Sequence, residues 1–299
     1  PSDEIPDTRL QEIIEDLIAV RVGALTFSGG GEPLLHPGVP SAIRALAAGG
    51  VRVAALTNGA RLQGDAAEAL AACATWVRVS IDAGTPEGYA AQRGVSVDEF
   101  ERVLANIASF ATQKRAGCVL GANLVVTAER IDEIPQALAR LKDAGVGHVK
   151  VAEAVVHREA GPNRDYVRAW LPQARAHLAR ARADLEDTTF RIVDLLLDPD
   201  APGDPYAKPY HRCPSARVLT VIGADSAVYA CQDKAYAPSG WLGSLVDRRF
   251  PDLWSDPATL ARVAAINPAR HCRHHCAANG RNRLLLDYLD ADPEHLAFV

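Results

Sequence analysis

The sequence predicts an α/β fold built on a parallel sheet that curves toward a barrel, followed by a smaller region. Three observations support this fold class. Apolar strand segments alternate with helical segments as far as residue 156, polar side chains follow each strand, and four of the six cysteines lie beyond residue 212. Strands that alternate with helices form parallel sheets from right-handed βαβ units.

The helices and strands follow one another in a regular order. A helical stripe of Leu10, Ile13, Ile14, Leu17 and Ile18 opens the chain, and glycines or turn residues separate the later segments. Helices are predicted at residues 8–19, 40–48, 65–74, 97–112 and 134–144, and strands at 24–28, 51–59, 76–84, 118–127 and 148–156. Beyond them we predict a long helix at 162–183 and an extended segment at 188–197.

The positions of polar residues favour a barrel over an open sheet. Such residues end all five strands: Glu32; Thr57 and Asn58; Ser80 and Asp82; Asn123 and Thr127; Lys150 and Glu153. A barrel builds its site from several consecutive strands, whereas an open sheet concentrates its ligand at one switch point. Part of this pattern has a structural alternative, because the Thr57–Gly59 stretch also suits a turn and Asp82 also suits a helix cap.

The stretch ALTFSGGGEPL, residues 24–34, is the strongest candidate for a binding site. Gly30 and Gly31 have no Cβ, so backbone here can approach a ligand closely and adopt positive φ. Glu32 stands where the strand ends, held by the proline that follows it. A tight βα turn without a ligand is the structural alternative.

Composition limits the classes of partner. The chain has 299 residues, with 32 basic and 37 acidic side chains and a net charge of −5, so its overall charge favours neither nucleic acid nor an anionic membrane. No apolar run reaches the ~18 to 20 residues of a membrane span, and the first residues are acidic, unlike a signal peptide. We therefore expect a cytoplasmic protein that acts on a small molecule or a peptide.

The cysteines indicate metal or redox chemistry. Cys213 and Cys231 are predicted at the two ends of a hairpin that turns at residues 223–226, and Cys272 and Cys276 lie in a His-rich turn. Four thiols are the number that one [4Fe-4S] cluster requires. A zinc site is the alternative, with four thiolates or with ligands from His271, His274 and His275. Cys73 and Cys118 have apolar neighbours and are expected to be buried hydrophobic residues.

The first three strand segments resemble a known family. ALTFSGGGEPLLHP, LTNG and VRVSIDAGTPEGYAAQRG are similar, in order and spacing, to the second, third and fourth strand segments of radical S-adenosylmethionine (SAM) enzymes. The resemblance implies a partial (β/α)6 TIM-like barrel. It also implies that Gly30, Gly31 and Glu32 hold the amino group of SAM, that Ser80 and Arg93 contact its ribose and carboxylate, and that Asn58 belongs to the same site. A guanidinium suits a carboxylate because its two-donor fork matches the two oxygens.

The C-terminal cysteines resemble the SPASM and twitch extensions of the same family. By that resemblance Cys213, Cys231, Cys272 and Cys276 hold one auxiliary [4Fe-4S] cluster, the number found in the shorter twitch form. Ser226 stands where the family usually has glycine, which puts the geometry of the turn in doubt. We predict a barrel domain at residues 1–187 and a connecting segment with the auxiliary domain at 188–299.

The diagnostic CxxxCxxC motif of the family, which binds a second [4Fe-4S] cluster, does not occur in this sequence. The chain also contains no methionine, so we expect that it does not begin where translation does. A homologue that lacks the catalytic cluster is the alternative. We expect strand 24–28 to pair with residues 53–57 on one side only, because the first strand and the cluster loop of the family would lie on its other side.

The activity implied by the resemblance is cleavage of SAM to a 5′-deoxyadenosyl radical, which abstracts hydrogen from the substrate. An external donor of the flavodoxin or ferredoxin type would supply the electron. The expected substrate is a carbohydrate or aminocyclitol in natural-product biosynthesis, which is dehydrogenated or epimerised. Lys150, Glu153 and His157 are weak candidates for contacts with it, and an ion pair is their structural alternative. Peptide modification and a non-catalytic iron–sulfur or zinc scaffold are the other hypotheses.

Overall fold

The computed structural model describes residues 3–292 and residue 294. These residues divide into two compact units. The first unit contains residues 10–156 and 161–200, and the second contains residues 3–9, residues 157–160 and the described residues from 201 onward.

The first unit is organised around a six-stranded parallel sheet in which the strands lie in the order of the sequence. The strands are β1 Ala24–Phe27, β2 Arg52–Thr57, β3 Ala74–Ser80, β4 Val119–Val126, β5 His148–Glu153 and β6 Arg191–Asp194. The α/β fold class predicted from the alternating pattern is therefore confirmed. Because all six strands are parallel, their carboxyl ends lie at the same edge of the sheet, where the polar residues were predicted.

Strand β1 lies at the edge of this sheet within the described part of the chain. It pairs with β2 alone there, as expected, although the register is shifted by one residue: Ala24 pairs with Arg52 and not with Val53. Glu32 follows β1 closely, so this pairing brings it beside the end of β2.

Helices connect the strands and bury an apolar layer against one face of the sheet. In helix α5, Phe100, Ile107 and Phe110 are fully buried at the spacing expected for one helical face. Helix α1 precedes the strands and the other helices of this unit connect them: α1 Asp7–Ala19, α2 Val39–Ala48, α3 Gly64–Cys73, α4 Pro86–Arg93, α5 Asp98–Gln113, α6 Ile134–Asp143, α7 Ala160–Arg168 and α8 Leu171–Leu185.

Two local predictions are corrected. The long helix predicted at 162–183 is two helices, α7 and α8, because Pro172 has no N–H to donate to a preceding turn and fits only in the first turn of a helix, here that of α8. Helix α4 was not predicted, although Thr85 accepts a hydrogen bond from the Gly88 amide as a typical N-cap.

The segment at 188–200 belongs with the sheet. Strand β6 lies in this segment and pairs with β5, Ile192 opposite Val149. The domain boundary predicted at residues 187 and 188 stays a prediction, but this pairing favours a boundary near residue 200, where the two compact units separate.

The second unit contains a small antiparallel sheet and short helices. Its elements are β7 Val221–Ile222, β8 Ala227–Tyr229, β9 Trp241–Ser244, α9 Phe250–Trp254, α10 Pro257–Ala264, α11 Pro268–His271 and α12 Asn279–Leu289. The predicted hairpin is present but much shorter than expected, because Cys213 precedes a 3-10 turn at Pro214–Arg217 and does not begin a strand. Strand β9, which pairs with β8, was not predicted.

The backbone of the turn between β7 and β8 explains why the extensions that this region resembles usually have glycine where this chain has Ser226. Ser226 has φ +59°, in the left-handed region that glycine occupies at little cost. The turn therefore keeps its left-handed backbone even though serine replaces glycine.

None of the helices in the described residues is long and apolar enough to cross a membrane.

Candidate cofactor and cysteine sites

Glu32 joins the carboxyl ends of β1 and β2. Its carboxylate accepts hydrogen bonds from the Thr57 hydroxyl at 2.7 Å, from the Asn58 amide at 2.7 Å and from the Leu34 amide at 3.1 Å. A carboxylate with several such donors is held in one orientation. The chain itself therefore positions Glu32 at the strand ends, where a ligand of the sheet would lie.

Gly30 and Gly31 lie beside this carboxylate and are exposed. A Cβ added to either of them would meet no atom within 4 Å. Neither glycine takes positive φ, so the conformational freedom expected from the sequence is not used here. What the glycines provide is open space next to a fixed carboxylate, which a ligand could occupy.

The side chain of Asn58 is turned toward its own loop. Its Oδ1 accepts a hydrogen bond from the Ala60 amide at 2.9 Å, which makes a local turn after β2. The structure therefore supports the turn interpretation of this residue for its side chain, while its amide donates to Glu32.

Ser80 is the last residue of β3, and Arg93, the last residue of α4, lies beside it, as expected for residues of one site. The Arg93 Nη2 donates to the Ser80 carbonyl oxygen at 3.0 Å and to the Asp82 carboxylate at 2.6 Å. The Arg93 Nε is buried and has no hydrogen-bond partner within the described residues. The chain therefore uses the Nη2 donors of Arg93 and leaves the rest of its hydrogen-bonding capacity unused within the described residues.

Asp82 orders this corner of the site. It also accepts a hydrogen bond from the Val125 amide at 3.2 Å, so it joins β3, the end of β4 and helix α4. Burial raises the pKa of Asp82, although the neighbouring Arg93 and the Val125 amide oppose this shift. The side chain does not act as the helix cap considered from the sequence, since Thr85 takes that position.

The three weak candidates for substrate contacts have different environments. Lys150 is half-buried on β5, and burial and the nearby Arg78 lower its pKa. Glu153 accepts a hydrogen bond from the Leu197 amide at 2.9 Å and so ties the end of β5 to the chain after β6. His157 is exposed and belongs to the second unit, where its Nδ1 accepts from the Glu159 amide at 3.0 Å.

The four predicted ligand cysteines line a single cavity in the second unit. The cavity has a volume of about 640 Å³, including space that is open to solvent, and its walls contain Cys213, Cys231, Cys272 and Cys276. Asn282, which is 1% exposed, donates from Nδ2 to the Cys213 sulfur at 3.3 Å. Cys73 and Cys118 lie in the first unit; Cys118 is buried as expected, whereas Cys73 is only half-buried.

Two buried lysines line the same cavity. The Lys208 Nζ donates to the Tyr206 and His274 carbonyl oxygens at 2.6 and 2.9 Å. The Lys234 Nζ donates to the His271 carbonyl at 3.0 Å and to the Ser239 hydroxyl at 3.3 Å. Lysine is rarely this buried without a counter-charge, and neither lysine forms an ion pair with a carboxylate in the described part of the chain.

Burial favours the protonated form of three thiols of this cavity, those of Cys231, Cys272 and Cys276. Burial raises the pKa of Cys231 to about 11 and raises the pKa of Cys272 and Cys276 as well. Metal binding would therefore release protons. Among the described residues, no group of three or more His, Cys, Asp or Glu side chains is arranged to hold a single metal ion.

Several residues that build the two sites carry no clear signal in the sequence. Glu133 accepts hydrogen bonds from the Gly84 and Thr85 amides at 2.7 and 3.2 Å and fixes the start of α4. Lys208 and Lys234 lie in loop segments without a motif. The contact of Lys208 with His274 joins residues 66 positions apart, which local pattern cannot predict.

The comparisons with known proteins agree on one family. The family model described as the radical SAM superfamily matches residues 1–125. A pre-heme d1 synthase of Dinoroseobacter shibae is 27% identical over 324 aligned positions, which cover 97% of this chain and 77% of that protein.

The fold resembles solved structures at low sequence identity. Streptococcus suis SuiB bound to S-adenosylmethionine superposes with a TM-score of 0.59 at 13% identity, over 86% of this chain and 60% of SuiB. The structure of native anSMEcpe with bound AdoMet gives a TM-score of 0.53 at 11% identity, over 95% of this chain and 87% of that one. These likenesses show the fold alone, and the chain spans about 60% of the length of SuiB.

Proposed function

The chain belongs to the radical SAM superfamily, and from this premise we propose that it binds SAM at the carboxyl ends of β1 to β3 and uses it to abstract hydrogen from a small molecule. The observation that carries the proposal is the open backbone of Gly30 and Gly31 beside the fixed carboxylate of Glu32. SAM bound here, together with a reduced iron–sulfur cluster of the family, supplies the 5′-deoxyadenosyl radical. The electron is proposed to come from an external flavodoxin or ferredoxin.

The chain's own groups bind and orient the cofactor. Glu32 accepts hydrogen bonds, and its position suits an ammonium group lying along the glycines. The Arg93 side chain is partly exposed and keeps hydrogen-bonding capacity that the chain does not use, which suits a carboxylate at the end of β3. Ser80 lies between these two groups in the order of the strands and suits a hydroxyl of the ribose.

The test of this site is SAM binding to the Gly31→Val variant. The added side chain enters the space proposed for SAM, and its Cβ would meet no protein atom within 4 Å, so we expect at least a tenfold loss of SAM affinity with an unchanged melting temperature. Gly161→Val is the matched control, because its Cβ also meets open space but lies in α7. Equilibrium dialysis with SAM measures the affinity, and equal affinity in both variants would contradict the site.

We propose that the second unit holds one auxiliary [4Fe-4S] cluster in a twitch-like arrangement, with Cys213, Cys231, Cys272 and Cys276 as ligands. The buried ammonium groups of Lys208 and Lys234 support this assignment, because neither forms an ion pair with a carboxylate of the described residues and a thiolate-bound cluster would bring negative charge close to both. A zinc site that uses the same thiolates is the alternative.

The proposed reaction is dehydrogenation or epimerisation, and a carbohydrate or aminocyclitol stays the first candidate for the substrate. A substrate related to haem d1 is the second, since the relative named pre-heme d1 synthase matches 97% of this chain. Peptide modification and a non-catalytic scaffold remain the alternatives. Production of 5′-deoxyadenosine after anaerobic reconstitution separates an enzyme from a scaffold, and the mass change of each candidate substrate separates dehydrogenation from epimerisation.

A further inference from the structure

A basic cluster lies on the face of the six-stranded sheet opposite the buried helix-packed layer. It consists of Arg78 on β3 and of His148 and Lys150 on β5. Strand β4 lies between β3 and β5, and its side chains alternate between the two faces of the sheet. Leu120, Ala122 and Leu124 are buried on the helix side, while Asn123 is half-buried on the same face as the cluster.

The strand register brings the three basic side chains together. Arg78 pairs with Gly121, which pairs with His148, so these two side chains lie in one row across three strands. A Cβ on Gly121 would clash with the His148 ring, so the ring extends over the glycine toward Arg78. Lys150 lies on the same face two residues further along β5.

The charges in this cluster act on one another. Burial, Arg78 and Lys150 all lower the pKa of His148, and burial and Arg78 lower the pKa of Lys150. The Arg78 guanidinium lies 5.0 Å from the centre of the Trp76 ring, which holds it in place on this face. The fold therefore keeps the positive charges of Arg78 and Lys150 close together despite their mutual repulsion, and these charges disfavour protonation of the neighbouring His148.

The described chain provides no anion for this cluster. Within residues 3–292 and residue 294, the side chains of Arg78, His148 and Lys150 form no ion pair and no hydrogen bond, and the Arg78 Nε is buried without a partner. Elsewhere on the same unit an arginine such as Arg44 has its own carboxylate, that of Asp65. Half-buried cations without a counter-charge are costly to the folded state, so an anionic ligand would stabilise it.

We propose that Arg78, His148 and Lys150 form an oxyanion-binding subsite that recognises a carboxylate or phosphate group of the substrate. The inference rests on the proposed function, because it assigns a substrate class to the same sheet. The subsite lies next to the proposed cofactor position: Ser80 is two residues beyond Arg78, and it pairs with Asn123, which pairs with Lys150. The substrate would then be an acid or a phosphate ester held through its anionic group.

The test uses inorganic phosphate and malonate as probes with the full protein at constant ionic strength. The melting temperature is measured at a series of probe concentrations for the wild type and for Lys150→Met. This substitution removes the charge and keeps an apolar side chain of similar length. We expect the wild type to be stabilised by at least one probe, and the apparent affinity to fall at least tenfold in the variant. Arg44→Met is the matched control, because it removes the same charge from a site that has its own carboxylate, and it should bind the probes as the wild type does.

The outcomes separate this inference from the proposed function. Stabilisation by phosphate alone indicates a phosphate ester, and stabilisation by malonate alone indicates a carboxylic acid; either one supports the subsite. Without a probe, Lys150→Met should melt at or above the wild-type temperature because repulsion is removed, and a melting temperature well below that of Arg44→Met would overturn the inference. SAM binding is measured on the same samples. If the wild type binds SAM but neither probe, only the subsite is disproved. If the wild type does not bind SAM, the proposed function is disproved.

Discussion

At the ends of β1 and β2, the carboxylate of Glu32 has three hydrogen-bond donors from the chain. In the cysteine cavity, by contrast, the ammonium groups of Lys208 and Lys234 have only carbonyl and hydroxyl oxygens as acceptors. The chain therefore orients the carboxylate of the first region before any ligand binds. The second contains buried lysines that form no ion pair in the described residues, beside four cysteines that could bind a metal centre.

The difference follows from how each region is built. The glycine-rich loop follows a strand of a six-stranded parallel sheet with a continuous apolar core. The cavity is assembled from short helices, turns and strands of two to four residues, which supply little regular backbone pairing. We therefore expect the first unit to fold without its cofactor and the second to depend on its metal centre.

The largest expected effect tests that dependence. Cys272→Ala removes a proposed cluster ligand, so we expect most of the iron bound by the second unit to be lost and the unit to be destabilised by at least about 2 kcal/mol. A loss of about 2 kcal/mol lowers the melting temperature of a domain of about 100 residues by roughly 10 °C. Iron analysis and calorimetry on the reconstituted protein measure both effects.

Cys73→Ala is the matched control for this variant, since it makes the same chemical change on helix α3 of the first unit. It should retain its iron and lose no more than about 1 kcal/mol. If Cys272→Ala behaves in the same way, the cavity is not a cluster site and the contrast between the two units disappears.

An intermediate effect is expected at Glu32. Glu32→Gln replaces one acceptor oxygen with an amide group and removes the charge, so the hydrogen bonds from Thr57 and Asn58 weaken. We expect the first unit to lose about 1.5 to 3 kcal/mol in urea unfolding, with a loss of similar size in SAM binding free energy. Glu68→Gln, at an exposed position of α3, is the control and should change neither quantity by more than about 0.5 kcal/mol.

A variant that loses SAM affinity while its stability is unchanged would show that the Glu32 hydrogen bonds to the chain contribute little. The chain would then not depend on these hydrogen bonds to order the region without ligand, even though its assignment to SAM would stand.

The smallest effect concerns backbone strain in the second unit. Ser226 has φ +59°, which costs an L-residue about 1 to 2 kcal/mol relative to right-handed backbone. Ser226→Gly removes this strain but adds freedom to the unfolded chain, so we expect a net stabilisation of about 0.5 kcal/mol. Ala224→Gly, in the same turn but without positive φ, should instead destabilise the unit, and thermal unfolding of the metal-loaded protein compares the two.

Some parts of the molecule could be predicted from local patterns and others could not. The strand at 24–28 and helix α5 were predicted within one or two residues, because apolar periodicity and glycine punctuation are local signals. The break between α7 and α8 was missed even though Pro172 marks it. The hairpin at Cys213 was predicted too long because alternation alone does not show where strand pairing ends.

The sequence by itself determined the alternating α/β order, the glycine-rich loop with Glu32, the family resemblance and the set of four C-terminal cysteines. Each of these depends on residue type and spacing along a short stretch of chain. Only the tertiary structure decided that Thr57 donates to Glu32, that Lys208 and Lys234 are buried beside the cysteines, and that Arg78 lies in one row with His148. These contacts depend on the register of strands joined by whole helices and on the burial of charges, and both are set by the packing of the folded chain as a whole.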